Sequence, residues 1–320
     1  MKIAFIGKGG SGKTTMASLF ARYLAGLGLP VLAIDADINQ HLGAALGMGG
    51  GEAGSLPPMG IEIDLIKDYF RGANPRIRSA AAMVKTTPPG RGSRRARLSE
   101  KNPLFDHFER TVDGVRVMAV GEFTEEDLGI KCYHSKVGAA EILLNHLVDD
   151  ANEYVIVDMT AGADSFASGI FTKFDVMFLV AEPTQKSISV YEQYKKYAKD
   201  YGVNIKVVAN KVEDESDANF IKEHVGDDLV ATFTRSSFVR AAEKGAHQKL
   251  SALEPQNSAA LDAMHATVDR SEKDWKRFYD HALYFHIKNA ESWANEAIGE
   301  DARLQIDPEF SIEAFVSSAR

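Results

Sequence analysis

A single cysteine in 320 residues rules out an intramolecular disulfide framework and fits a reducing compartment. No apolar run is long enough to span a bilayer. The N-terminus, MKIAFIGKGG, carries only four consecutive apolar residues before glycine, too few for a secretory leader. A cytoplasmic protein with no membrane attachment is expected. The chain also lacks an excess of positive charge. With 37 Lys and Arg against 45 Asp and Glu its formal charge is −8, so the average surface repels nucleic acid and anionic lipid. Positive charge is concentrated in residues 71–101, where Arg71, Arg76, Arg78, Lys85, Arg91, Arg94, Arg95, Arg97 and Lys101 face Glu100 alone, leaving the rest of the chain near −16. This stretch includes TTPPGRGSRRAR, has turn formers and no apolar period, and reads as an exposed, mobile insertion. Nucleic acid or an acidic partner could bind only here.

What the chain does have is a regular succession of short apolar runs. KIAFI (2–6), VLAID (31–35), VRVMAV (115–120), YVIVD (154–158), VMFLVAE (176–182), IKVVAN (205–210) and LVATFT (229–234) lack polar alternation, as strands covered on both faces do. Helical periods fall between them at 13–27, 136–149, 187–201 and 236–245. This βα alternation predicts a doubly wound α/β fold with a mainly parallel sheet and helices on both faces. Such sheets bind ligands beyond the carboxyl ends of their strands. After about residue 250 the strand signals stop. The expected organisation is therefore a 1–250 domain, interrupted by the basic loop insertion at about 50–110, and a helical C-terminal extension over 251–320.

The first strand runs into GKGGSGKT (7–14), a G-x-x-x-x-G-K-[ST] phosphate loop that opens a helix. Gly9, Gly10, Ser11 and Gly12 can turn their N–H groups onto phosphates, and the helix N-terminus adds partial positive charge. Lys13 reaches the β- and γ-phosphates, the Thr14 hydroxyl suits Mg²⁺, and Thr15 follows in the same turn. VLAIDAD delivers Asp35 at a strand end with Asp37 two residues on, and YVIVD delivers Asp158. All three stand where a carboxylate can approach Mg²⁺-bound waters or orient an attacking water. IKVVANKV places Asn210 and Lys211 after a strand. A guanine reader would continue with Asp; here Glu213 stands instead, which argues against guanine.

GKGGSGKTT resembles the deviant Walker A motif of the SIMIBI-class P-loop ATPases, which include the ParA and MinD positioning ATPases, the nitrogenase iron protein and the CooC-type nickel-insertion ATPases. The resemblance implies an ATP-binding nucleotide-sandwich homodimer in which Lys8 reaches the other subunit's phosphates; without it, Lys8 would read as an exposed loop lysine. It further implies that Asp37 orients the water, that Asn39 is switch-like, that Asp158 holds a Mg²⁺-bound water and that Gly162 lies in a γ-phosphate-sensing turn. Asn210 would read adenine, with the loop Thr234-Arg235-Ser236 completing the pocket, although the proline common in that loop is absent here.

Within the class, GVRVMAVGEF, GIKCYHSKVGAAEILLNHL, VDMTAG, LVAEPTQKSISVYEQ, ANKV and SSFVRAAEKG follow the order of the CooC type. That type carries C-x-C where this chain has Cys132-Tyr133-His134, a pair implied to hold a metal shared by two subunits. Zn²⁺ follows from the ligand chemistry of Cys₂His₂ and Ni²⁺ only from the resemblance. The alternative is a buried Cys132 acting as a small hydrophobe beside a His134 that caps the next helix. The expected function is a Mg-ATP-dependent dimeric switch ATPase serving maturation of, or metal delivery to, an unknown client protein or metalloenzyme. The alternative is a ParA-like DNA- or scaffold-binding positioning ATPase that uses residues 71–101.

Overall fold

The computed structural model describes residues 1–49, 51, 56–122, 133–160 and 162–317. All seven apolar runs form strands: β1 Lys2–Gly7, β2 Val31–Ala36, β4 Val115–Ala119, β5 Tyr154–Met159, β6 Val176–Ala181, β7 Ile205–Val212 and β8 Leu229–Thr234. The remaining strand, β3 Arg110–Val112, is a three-residue partner of β4 with no apolar run to announce it. The sheet order is β3-β4-β2-β5-β1-β6-β7-β8, with β3–β4 antiparallel and every other pairing parallel. β1, β2, β5 and β6 are buried throughout, the physical reason their sequences do not alternate.

The helices whose bounds lie within the described residues are, in chain order, α1 Lys13–Gly26, α2 Leu42–Ala45, α3 Ile63–Arg71, α4 Pro103–Phe108, α5 Tyr133–His146, α6 Gln185–Ala198, α7 Glu215–Val225, α8 Ser237–Ala242, α9 Pro255–Asp269, α10 Trp275–Asn289, α11 Asn295–Ile298 and α12 Ile312–Ser317. The four expected helices occur as α1, α5, α6 and α8. α7 is a helix that the apolar period hides, because it buries only Ile221 and Val225. Its ends are nonetheless marked, by Asp214 accepting from the Ser216 and Asp217 N–H groups and by Gly226 at φ 58. Among the described residues no helix is long and apolar enough to cross a membrane.

Successive residues of each strand face opposite cores. Ile3 and Phe5 pack with Phe20 of α1, Phe178 of β6 and Leu261, Met264 and Val268 of α9. Ala4 and Ile6 pack on the other face with Ile66 and Phe70 of α3 and Ile142 and Leu143 of α5. The C-terminal helices thus complete the core on one face. On the other, Phe285 of α10 lies against Phe171, with ring centroids 5.5 Å apart.

The basic stretch is not the exposed insertion its composition suggests. Residues 86–90 and 96–98 are buried, and α3 and α4 flank the segment. Its arginines are held largely by the end of the chain. Arg91 pairs with Asp307 at 2.7 Å and with Glu309, and Arg76 approaches Asp307 at 3.7 Å. Arg78 meets Glu300 at 3.1 Å, Arg95 donates to the Phe315 carbonyl at 2.9 Å, and Arg97 donates to the Val316 carbonyl and pairs with Asp150 at 2.8 Å. Hydrogen bonds from Arg91 hold the Asp307 carboxyl down at about 2. Buried polar contacts complete the seam. Thr87 donates to Gln305 Oε1 at 2.8 Å, and His286 sits between Thr86 Oγ1 and the Ala302 carbonyl at 3.2 and 2.8 Å. Packing by hydrogen bonds to residues some 200 positions away leaves no apolar period to read.

This packing makes the segment structural. Leu98→Ala is expected to cost roughly 2–3 kcal/mol in urea unfolding. Deletion of 85–101 should cost far more and open residues 302–317 to trypsin. An unchanged unfolding midpoint and proteolytic pattern in the deletion would show a merely solvated loop.

Candidate functional site

β1 ends at Gly7, paired with Val180, and the loop from Lys8 to Gly12 turns the chain directly into α1. Gly7, Gly10 and Gly12 have φ of 142°, 81° and 95°, a region L-residues avoid. Space enforces the choice too. A Cβ at Gly7 would lie 2.6 Å from the Val180 carbonyl, and one at Gly12 would lie 2.4 Å from Asn210 Nδ2. α1 has no side-chain cap and no acidic residue in its first turn. Its leading N–H groups and its dipole are therefore available to an anion. Ser11 N–H donates to the Lys8 carbonyl at 3.2 Å, while the buried Ser11 Oγ has no partner among the described residues.

The strand register assembles the carboxylates. β2 and β5 pair Asp35 with Asp158, so two acids stand side by side at the sheet's carboxyl edge. Thr14 Oγ1 donates to Asp158 Oδ2 at 2.6 Å. Asp35 accepts from the Leu42 N–H at 2.8 Å and the Asp37 N–H at 3.2 Å. Asp37 accepts from Asn39 N–H and Nδ2 at 3.0 and 3.1 Å, and its other oxygen lies 3.9 Å from Lys13 Nζ. Burial lifts the Asp35 carboxyl to about 7 against the pull of its backbone hydrogen bonds. Burial, reinforced by Asp35, lifts Asp158 well above the carboxylate range, opposed by the Thr14 hydrogen bond and Lys13. Asp158 Oδ1 is buried with no hydrogen-bond partner among the described residues.

An orphaned carboxylate oxygen, a hydroxyl and a surplus of buried acids fit a small hard cation. Among the described residues no three or more His, Cys, Asp or Glu form a cage. Mg²⁺ does not require one, since it keeps waters and takes substrate oxygens.

Beside the loop lies a cavity of about 700 Å³. It is lined by Gly10, Gly12, Thr15 and Met16 of the loop and α1, by Asn210 and Lys211 of β7, and by a wall of Phe233 to Ser237, Val239, Arg240 and Glu243. Asn210 and Lys211 first serve the loop itself. Asn210 Nδ2 donates to the Ser11 carbonyl at 2.8 Å, and Lys211 Nζ donates to the Gly10 carbonyl at 2.7 Å and to Glu182 Oε1 at 2.6 Å. Lys211 takes a left-handed φ of 60° to do so. Glu213 is drawn aside by Arg235 at 2.6 Å and does not line the cavity. Lys8 is half-buried and makes no ion pair among the described residues, and Gly162 opens the 3₁₀ segment Gly162–Lys173 after β5. Cys132 lies outside the described residues, and His134 is placed only as backbone in the first turn of α5.

Sequence reading missed four contributors. Glu182 stands at a strand end and could have been found there. Gln40, at φ 50°, donates to the Asp37 carbonyl at 2.5 Å and accepts from Gly121 N–H at 3.3 Å, tying the loop after β2 to the end of β4. Glu254 and Asn257 hold the cavity wall from α9 and its cap position, with no local signal of that task.

A model of the CobQ/CobB/MinD/ParA nucleotide binding domain matches residues 3–246. An uncharacterised ATP-binding protein of Methanocaldococcus jannaschii is 31% identical over 230 residues, covering 72% of this chain and 81% of that one. The carbon monoxide dehydrogenase accessory protein CooC of Rhodospirillum rubrum is 29% identical over 246 residues, covering 76% and 87%. The septum site-determining protein MinD of Pyrococcus horikoshii, solved with Mg-ADP, superposes with a TM-score of 0.57 over 84% of this chain and 96% of that one, at 15% identity.

The Gly12–Asn210 contact yields a double-mutant test. Gly12→Ala should cost about 1–3 kcal/mol through backbone strain and the clash, and should weaken nucleotide binding. Asn210→Ala in the same chain should recover part of the stability, giving a coupling energy outside additivity. Additive losses in urea unfolding would mean that the two groups do not meet.

Proposed function

Since this chain belongs to the CobQ/CobB/MinD/ParA nucleotide-binding family and is an ATPase, we propose that it works as a Mg-ATP-dependent dimeric switch that serves maturation of, or metal delivery to, a client enzyme in the manner of CooC. The observation that carries the reading is the junction of the glycine loop with Lys13, Thr14, Asp37 and Asp158. It offers donors for phosphate and hard oxygens for a cation within one buried site. The 29% identity with CooC over 246 residues supports the finer assignment.

In this reading the loop N–H groups and the start of α1 hold the β- and γ-phosphates. Lys13, only loosely held by Asp37 at 3.9 Å, moves onto phosphate oxygens. Asp37, released from Lys13 and kept in place by Asn39, accepts a hydrogen bond from the attacking water and orients it. Thr14 and Asp158 would hold Mg²⁺, with Asp35 behind them; bound there, it neutralises phosphate charge. Asp158 Oδ1, without a partner among the described residues, would be the oxygen left to serve that ion. Lys8 extends across a two-fold axis to the partner's phosphates. Asn210 and Thr234 border the base. DNA binding loses ground as a reading, because the basic segment is packed against the C-terminal residues.

Lys13→Ala is expected to abolish ATP binding in calorimetry. Asp37→Ala should keep binding and lose at least a hundredfold in hydrolysis, about 3 kcal/mol, and accumulate ATP-bound dimer. Dimers mixed from Lys8→Ala and Asp37→Ala subunits reveal whether Lys8 acts in trans. Undiminished turnover in Asp37→Ala would remove that residue from the mechanism.

The metal reading rests on Cys132 and His134. Each chain brings two ligands, and a two-fold axis would make them Cys₂His₂. ATP-bound dimer should carry about half an equivalent of Zn²⁺ or Ni²⁺ per chain, lost in Cys132→Ser and in His134→Ala. Binding should weaken in acid, since thiolate and neutral imidazole are needed. Metal-free dimers of full activity would leave the switch without this cargo.

A further inference from the structure

The turn from Asp37 to His41 carries the chain from β2 to α2. Both of its ends are anchored on Asp35, which accepts from the Asp37 and Leu42 N–H groups at 3.2 and 2.8 Å. Between these anchors Ile38, Asn39 and His41 are exposed, whereas Gln40 turns back toward the sheet and is half-buried. Its carboxamide is used at both atoms. Nε2 donates to the Asp37 carbonyl at 2.5 Å and lies 3.4 Å from both the Asp35 carbonyl and Asp35 Oδ1, while Oε1 accepts from the Gly121 N–H at 3.3 Å. A carbonyl only accepts and a backbone N–H only donates, so these partners fix which amide atom faces which. Gly121 follows Val120, whose N–H donates to the Asp35 carbonyl at 2.9 Å. The Gln40 side chain thus ties the turn to the chain just beyond β4.

The backbone of Gln40 is left-handed, with φ 50°. Glycine makes such a turn without the steric cost that a Cβ brings, so the turn alone does not call for a glutamine. What the side chain adds is a fixed place for the Asp37 carbonyl, and with it for Asp37 as a whole. The carboxylate is steadied at one oxygen by Asn39 of the same turn, and its other oxygen stands 3.9 Å from Lys13 Nζ. We propose that Gln40 is a positioning residue for hydrolysis: it clamps the Asp37 turn to the end of β4 and so sets where the Asp37 carboxylate meets the attacking water, acting through Asp37 rather than on the nucleotide. Rates respond steeply to such placement, since a shift of about 1 Å in a positioned group can cost on the order of a hundredfold. The inference rests on the reading of Asp37 as the group that orients the water.

The test uses the full chain and measures the ATP dissociation constant, the single-turnover rate of hydrolysis and the melting temperature. Gln40→Gly removes both ties and relieves the left-handed backbone, so it should melt near wild type. It should bind ATP within about twofold of wild type and hydrolyse it on the order of tenfold more slowly. A merely structural glutamine would instead lower the melting temperature and spare the rate per bound ATP. Gln40→Met keeps the length of the side chain without its hydrogen bonds, and should show the same loss of rate whatever its melting temperature. In an Asp37→Ala background, where hydrolysis is already reduced, Gln40→Gly should cost nothing further, because the two act as one unit. A wild-type rate in either Gln40 variant, loss of ATP binding in both, or a further independent loss in the Asp37→Ala background would overturn the inference and leave Asp37 in its role. Undiminished hydrolysis in Asp37→Ala alone would overturn the reading of Asp37, and the inference with it.

Discussion

The site depends on the register of three parallel strands. β5 lies between β1 and β2, so Asp158 is paired with Phe5 on one side and Asp35 on the other. One residue of slip would turn Asp158 to the opposite face and separate Thr14 from its carboxylate. The register is enforced by burial on both faces, since Ile3 to Ile6 of β1, Val31 to Ile34 of β2 and Tyr154 to Val157 of β5 alternate between one core and the other. The cost of crowding Asp35, Asp37 and Asp158 appears in their environment. Two of these carboxyls are lifted above their ordinary range, and one oxygen is left without a partner. Such unmet electrostatic demand is what a cation satisfies.

The C-terminal extension is part of the same construction. At the amino edge of the sheet, buried Lys2 pairs with Asp149 at 2.7 Å, and Lys273 bridges Asp149 and Asp175 at 2.5 and 2.6 Å. Lys2 lies 4.5 Å from the Trp275 ring centroid. Burial depresses Lys2 to about 8, while Asp149, which burial alone would raise, is held well below its ordinary range by Lys2 and Lys273. Residues of α9 reach the cavity wall, and residues 302–317 lock the basic segment. The extension therefore touches the sheet at both ends and on both faces, and a change in α9 or its cap is felt at the cavity wall.

Much of the fold was legible because it rests on repetition. A buried strand declares itself over five or six residues, and seven of eight strands were read to within two residues at either end. The three-residue β3 and the weakly apolar α7 escaped because each offers too few buried positions to average over. The basic segment misled for a related reason. Its buried apolar residues, Ile77, Met83 and Leu98 among them, follow no period, and its buried polar groups find particular partners, such as Thr87 with Gln305 across 218 residues, where composition reports only that such groups prefer water when unpaired.

By itself the sequence determined the chemistry that is contiguous. GKGGSGKTT carries the loop, its lysine and its hydroxyl in nine residues, because a phosphate cradle is made of consecutive N–H groups. The aspartates at strand ends were legible because strand ends in a parallel sheet share one edge. Tertiary structure alone decided how those groups are held. Asn210 and Lys211 brace the loop, Gln40 ties two strand ends together, and Glu254 with Asn257 orients the hydroxyls of the cavity wall. A single polar residue can make its hydrogen bonds in many settings, so its partner is chosen only when distant segments are brought within about 3 Å of it.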